Sequence, residues 1–235
     1  MRFLSVLFLL IAVSSFSQEK EPLPLTEKDT VFYTKIDSLY REDQFYFGLT
    51  YNLLRQKPEG FSQNGLSTGI NIGFLRDMPL NKKRTFAIAA GFGFSYNKYH
   101  QDLLVTEMGG VANYEILEDV NYSRNKLEQV FLDLPIEIRW RNSTYESHKF
   151  WRIYTGFKVR YLLLNKTKFV GETTITVLNN NDFNKFQYGP YIAFGFNTWN
   201  FHAYYGLNPI FKSAQIDGQS IDMKTLNLGL MFYIL

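Results

Sequence analysis

The chain contains no cysteine. That excludes disulfides, thiolate metal sites and cysteine nucleophiles, and with them anchoring through a lipid-modified cysteine. An excess of one charge is missing too. The 25 Lys and Arg stand against 22 Asp and Glu, leaving a formal +3. So weak and dispersed a balance gives no nucleic-acid surface. Beyond the first residues there is no long uncharged apolar run, so no spanning helix of about 20 residues is expected. No glycine-rich loop leads from a strand into a helix to cradle a phosphate. His100, His148 and His202 have no metal-ligand spacing. No cofactor and no metal are expected. The chain does have aromatic residues, at 17%, spread through segments that alternate with period two.

The N-terminus has the layout of a secretory signal peptide. Met1-Arg2 precedes an apolar run from Phe3 to Val13 and then "SSFSQEK". Cleavage is expected after Ser17, leaving Gln18 at the mature end. Residues 18–43 are polar and proline-bearing, and are expected to form a periplasmic linker. Within it Phe32, Ile36, Leu39 and Tyr40 have helical spacing and Thr30 is a candidate cap.

Residues 44–235 alternate. Eight strands are expected: 44–55, 66–76, 85–98, 129–140, 150–163, 186–197, 200–208 and 224–235. Short turns connect alternate pairs, and longer loops, including residues 100–128 and 165–185, connect the others. An even number of antiparallel strands with short turns at one rim and long loops at the other is the layout of an outer-membrane barrel. The fold class is therefore all-β: an eight-stranded antiparallel up-and-down transmembrane β-barrel.

"FLDLPIEIRW" poses the choice between chemistry and architecture. Val130, Leu132, Leu134, Ile136, Ile138 and Trp140 fall on one face, while Asp133, Pro135, Glu137 and Arg139 fall on the other. Over all eight segments one parity carries no charge and is full of Phe, Tyr, Leu and Trp. The other carries glycine, asparagine and the ionisable groups. A soluble calycin-like barrel would turn the bulky parity inward, but eight strands leave little interior room. The glycine-rich parity is the one that fits a narrow lumen. Asp133 and Glu137 then read as members of a lumen charge network with Arg139, Arg152, Lys158 and Arg160, rather than as a catalytic acid pair. Asp133 is expected near Lys158, and Glu137 near Arg152. Pro135, lacking a donor, implies a gap in the ladder or a bulge. Trp140, Trp151 and Trp199 all fall at the short-turn rim and form a candidate aromatic girdle. His100 and Asp102, on an outer loop, are a weak candidate for rim catalysis.

"FLDLPIEIRW", "FWRIYTGFKVRYLL", "FQYGPYIAFGFNTWNFHAYYGLNPIF" and the closing "LNLGLMFYIL" resemble the PorT-type outer-membrane β-barrel family of Bacteroidota. The resemblance covers most of the mature chain. "REDQFYFGLTYNLL" and "GFLRDMPLNKKRTFAIAAGFGFSYN" extend it towards members required by the type IX secretion system. It implies a non-enzymatic barrel that supports protein export and gliding. The implied partners are outer-membrane lipid, other type IX secretion components and the outer-membrane assembly machinery. A general surface barrel for adhesion or envelope integrity is the alternative. One departure is the end on Leu235, with Phe232 and Tyr233 just upstream, where such barrels usually end on an aromatic residue.

Overall fold

The computed structural model describes residues 43–118, 120–142 and 150–234. The expected signal peptide, its cleavage point at Ser17 and Gln18, and the linker helix lie outside them. The described residues form β1 (Gln44–Arg55), β2 (Thr68–Pro79), β3 (Phe86–His100), β4 (Leu103–Met108), β5 (Val111–Ile116), β6 (Arg124–Arg141), β7 (Trp151–Val170), β8 (Thr174–Leu178), β9 (Phe186–Phe196), β10 (Trp199–Tyr205), β11 (Gln215–Ile216), β12 (Gln219–Ser220) and β13 (Lys224–Ile234).

Eight of these strands close into a barrel. β1, β2, β3, β6, β7, β9, β10 and β13 pair antiparallel in chain order. The first and last strands complete the ring, in register from Phe45↔Ile234 to Arg55↔Lys224. Closure leaves no open edge, the condition for backbone in hydrocarbon. The side chains follow the pleat. Leu49, Ile72, Phe92, Ile136, Ile153 and Phe194 are exposed, whereas Asn52, Asn71, Ser95, Gln129 and Asp133 are buried. This is the inverse of a water-soluble barrel. On β6 the outward apolar residues run from Val130 to Trp140. At about 3.4 Å per residue and a tilt of about 40°, that run is about 25 Å tall, the height of an outer-membrane apolar band.

The short-turn rim carries the Asn197–Thr198 turn, with Asn197 at φ 53°, and both ends of the barrel sheet. This rim is the periplasmic one.

Inward glycines make room for rings. Gly73 and Gly93 face each other across β2 and β3. A Cβ on either would lie 2.5 Å or less from the Tyr46 ring or its hydroxyl, so a larger residue here would evict the tyrosine from the lumen.

Of three features that bear on the sequence reading, the first and third differ from it and the second agrees. First, residues 100–128 and 165–185 are not simple loops. β6 and β7 continue past the membrane band, β8 pairs with the upper part of β7, and β4 and β5 form a hairpin. These elements, with the β1–β2 and β10–β13 connections, enclose an apolar cap of Leu54, Phe61, Tyr99, Leu103, Leu127, Phe183, Ile210, Phe211 and Ile221. Second, Pro135 does leave a gap: the ladder to β3 lacks the pairs at Gly91–Pro135 and Phe92–Leu134. Third, the bulge is elsewhere, between Val130 and Phe131 opposite Leu162 to Leu164.

Candidate functional site

The lumen is the densest polar cluster among the described residues. Alternation on β6 aims Asp133, Glu137, Arg139 and Arg141 inward, and β7 adds Arg152, Lys158 and Arg160, all buried. From the periplasmic side upward the groups form layers. Asp77, from the end of β2, receives Arg141 through both carboxylate oxygens at 2.8 Å and Arg139 at 3.1 Å. Arg139 Nε also donates to Glu137 at 2.7 Å, and the Tyr191 hydroxyl donates to the other Glu137 oxygen at 2.8 Å. Higher up, Asp133 meets Arg160 at 3.3 Å and Lys158 at 3.4 Å. Ser95 donates to Asp133 at 3.0 Å and accepts from Arg160 at 2.9 Å.

Asp133 and Lys158 are thus brought together, but Glu137 and Arg152 are not. The register sets Glu137 opposite Gly156 and Arg141 opposite Arg152, and Glu137 is taken by Arg139 and Tyr191. Arg152 has no carboxylate among the described residues. Its guanidinium lies 4.6 Å from the Phe150 ring centroid and 5.4 Å from that of Tyr233. Aromatic faces compensate a desolvated cation electrostatically. Asp77 and Arg141 are the two members that sequence reasoning misses. Asp77 sits next to turn signals, and Arg141 lies one residue beyond the expected strand end.

Rings fill the remaining space. Lys158 lies 5.3 Å from the Tyr191 centroid, and Arg160 lies 4.1 Å from Phe131 and 5.1 Å from Tyr204. A void bounded by Tyr46, Glu137, Lys158, Tyr191 and His202 measures about 10 Å³, the minimum for a single water. Above it the apolar cap covers the extracellular end. Three loops of this cap are tied at Asp182. Its carboxylate accepts from Tyr114 at 2.9 Å and from Ser213 at 2.7 Å, and its carbonyl accepts from the Lys212 N–H at 2.6 Å. Burial raises the Tyr114 hydroxyl above its usual range.

The structure places all three tryptophans of the expected girdle on the outward face. Trp140 ends the apolar run of β6, Trp151 opens β7 and Trp199 opens β10, all facing outward at the periplasmic rim. Trp151 packs 5.5 Å from Phe196, and Trp199 packs 5.4 Å from Phe232. No hydrogen bond joins the side chains of His100 and Asp102. Asp102 accepts the Ser62 N–H at 2.8 Å and, with its own backbone, staples the β1–β2 loop to the β4 strand. Its burial raises the carboxyl above the usual range. Among the described residues no group of three His, Asp or Glu side chains could hold a metal. His148 lies outside them.

The sequence matches the family described as "Outer membrane protein beta-barrel domain" over residues 16–212. Among solved structures the chain is similar to Ail, the attachment invasion locus protein of Yersinia pestis. That match has 12% identity and a TM-score of 0.41, covering 83% of this chain and 99% of that one. A mutant porin of Rh. blastica aligns at 6% identity and a TM-score of 0.21, covering 82% of this chain and 99% of that one. No curated protein matches the sequence. The barrel assignment rests on the strand pairing rather than on these alignments.

Proposed function

The chain belongs to the outer membrane protein beta-barrel domain family, and from that premise we propose that it is a non-enzymatic barrel supporting protein export by the type IX secretion system. It reaches the outer membrane behind a signal peptide cleaved between Ser17 and Gln18, and residues 18–43 remain in the periplasm. Its partners are outer-membrane lipid, the assembly machinery that inserts it and other secretion components. The observation that carries this reading is the filled lumen. A barrel occupied by buried ion pairs and rings, and covered by an apolar cap, is no route for a folded protein. Its contribution to export is then made by its surfaces, beside a larger channel. The link to this particular system rests on the resemblance of the segments "REDQFYFGLTYNLL" and "GFLRDMPLNKKRTFAIAAGFGFSYN".

Deletion of the gene is expected to leave cell-surface cargo trapped inside the envelope and to stop gliding, with both restored by complementation. Normal surface delivery in the deletion strain would contradict the export role. Loss of attachment alone would favour the adhesion reading. Fractionation of the tagged mature protein is expected to recover it with outer-membrane vesicles, and recovery from the soluble periplasm would contradict the barrel.

A further inference from the structure

The bulge opposite Val130 has a consequence for charge. Below it, the odd-numbered residues of β7 face outward, from Trp151 to Leu163. Above it the parity inverts: Leu164 is exposed, Lys166 and Lys168 are half-buried on the outside, and Asn165 and Thr167 are buried. Without the extra residue those two lysines would point into the cap. Bulges at barrel rims re-aim side chains in this way.

The re-aimed lysines land in a defined place. The topmost apolar row runs across three strands as Tyr96, Val130 and Leu164. The next row is Lys98, Glu128 and Lys166, and the one above it is His100, Lys126 and Lys168. Arg124 begins β6 one pleat further on. Lys126 is paired with Glu128 at 2.7 Å, and Tyr96 donates to the same carboxylate at 2.5 Å. Lys98, Lys166 and Lys168 form no ion pair among the described residues. A basic patch thus begins one pleat above the lipid-facing band, on the outward surface of β3, β6 and β7. On β9 and β10 the outward residues to the top of the barrel are Tyr188, Phe186 and Tyr205, without charge.

We propose that Lys98, Arg124, Lys126, Lys166 and Lys168 bind the phosphorylated headgroup of an outer-leaflet lipid. The apolar row fixes the acyl chains directly beneath the patch. One pleat, about 5 Å of height in a tilted strand, is the offset between hydrocarbon and headgroup. Lysine stems lie along apolar surface and lift their ammonium groups to that level. This inference concerns lipid at the barrel wall and does not depend on the export role.

The test uses the full mature protein folded in detergent, with native mass spectrometry as the readout and bis-phosphorylated lipid A as the probe. The wild type is expected to retain lipid A and to release dephosphorylated lipid A. The triple variant Lys98→Gln/Lys166→Gln/Lys168→Gln is expected to bind about a hundredfold more weakly, at about fivefold per cation. Lys82→Gln/Lys83→Gln, in the periplasmic-rim turn, is expected to bind as the wild type does. Heat-modifiable migration verifies folding. If the triple variant misfolds, Lys98→Gln and Lys166→Gln singly are each expected to lose about fivefold. Unchanged binding by the lysine variants, equal retention of the dephosphorylated probe, or full displacement by millimolar inorganic phosphate would overturn the proposal.

Discussion

Ile136→Arg is expected to abolish stable insertion, whereas Glu137→Gln, one residue further on, leaves a folded barrel. Ile136 is 60% exposed on the outward face of β6, near the middle of the apolar run from Val130 to Trp140. A cation there costs about 2–4 kcal/mol at mid-depth, against a total stability of about 5–15 kcal/mol for a typical domain. Glu137 faces the other way. Glutamine keeps an oxygen to accept from Tyr191, and Arg139 keeps Asp77. Heat-modifiable migration on gels separates the outcomes. Equal folding of the two variants would mean that the faces are inverted.

Asp77→Ala is expected to be the most destabilising single change in the lumen. Two arginines, Arg139 and Arg141, converge on this one carboxylate, and all three side chains are fully buried. Among the described residues the lumen holds Arg139, Arg141, Arg152, Lys158 and Arg160 against Asp77, Asp133 and Glu137. Five cations minus three carboxylates leaves two positive charges in excess, and the substitution makes it three. Removing one partner of a buried pair costs about 3–5 kcal/mol, whereas replacing the whole pair by apolar groups is often neutral. Arg141→Met added to Asp77→Ala is therefore expected to recover much of the loss. Urea unfolding of the three proteins in lipid vesicles measures this. A loss below about 1 kcal/mol for Asp77→Ala, the scale of an exposed pair, would contradict the account.

The part of the chain in contact with lipid was legible, because hydrocarbon tolerates no charge on the outward parity. The bounds expected for β1, 44–55, coincide with the observed Gln44–Arg55. Above the membrane that demand lapses. β4 and β5 face the cap with Leu103 and Val105, while Glu107 and Glu115 lie in the same hairpin, so the alternation there resembles loop sequence. A bulge leaves no mark in composition, and the outward turn of Lys166 and Lys168 was invisible for that reason. Asp77 was hidden by Pro79 and Asn81, which signal a turn although β2 runs on to Pro79. The contact expected between Glu137 and Arg152 failed on register, which alternation does not encode.

The barrel is filled by its own side chains and capped at its extracellular end. Phe131, Tyr154, Leu162, Tyr191 and Tyr204 all point inward and are buried, and an eight-stranded ring leaves an interior only wide enough for such side chains. Planar-bilayer recording on the purified, folded protein tests this most directly. The account predicts no steady conductance above that of the bare lipid. A steady, large conductance would show that the lumen is open and would contradict it.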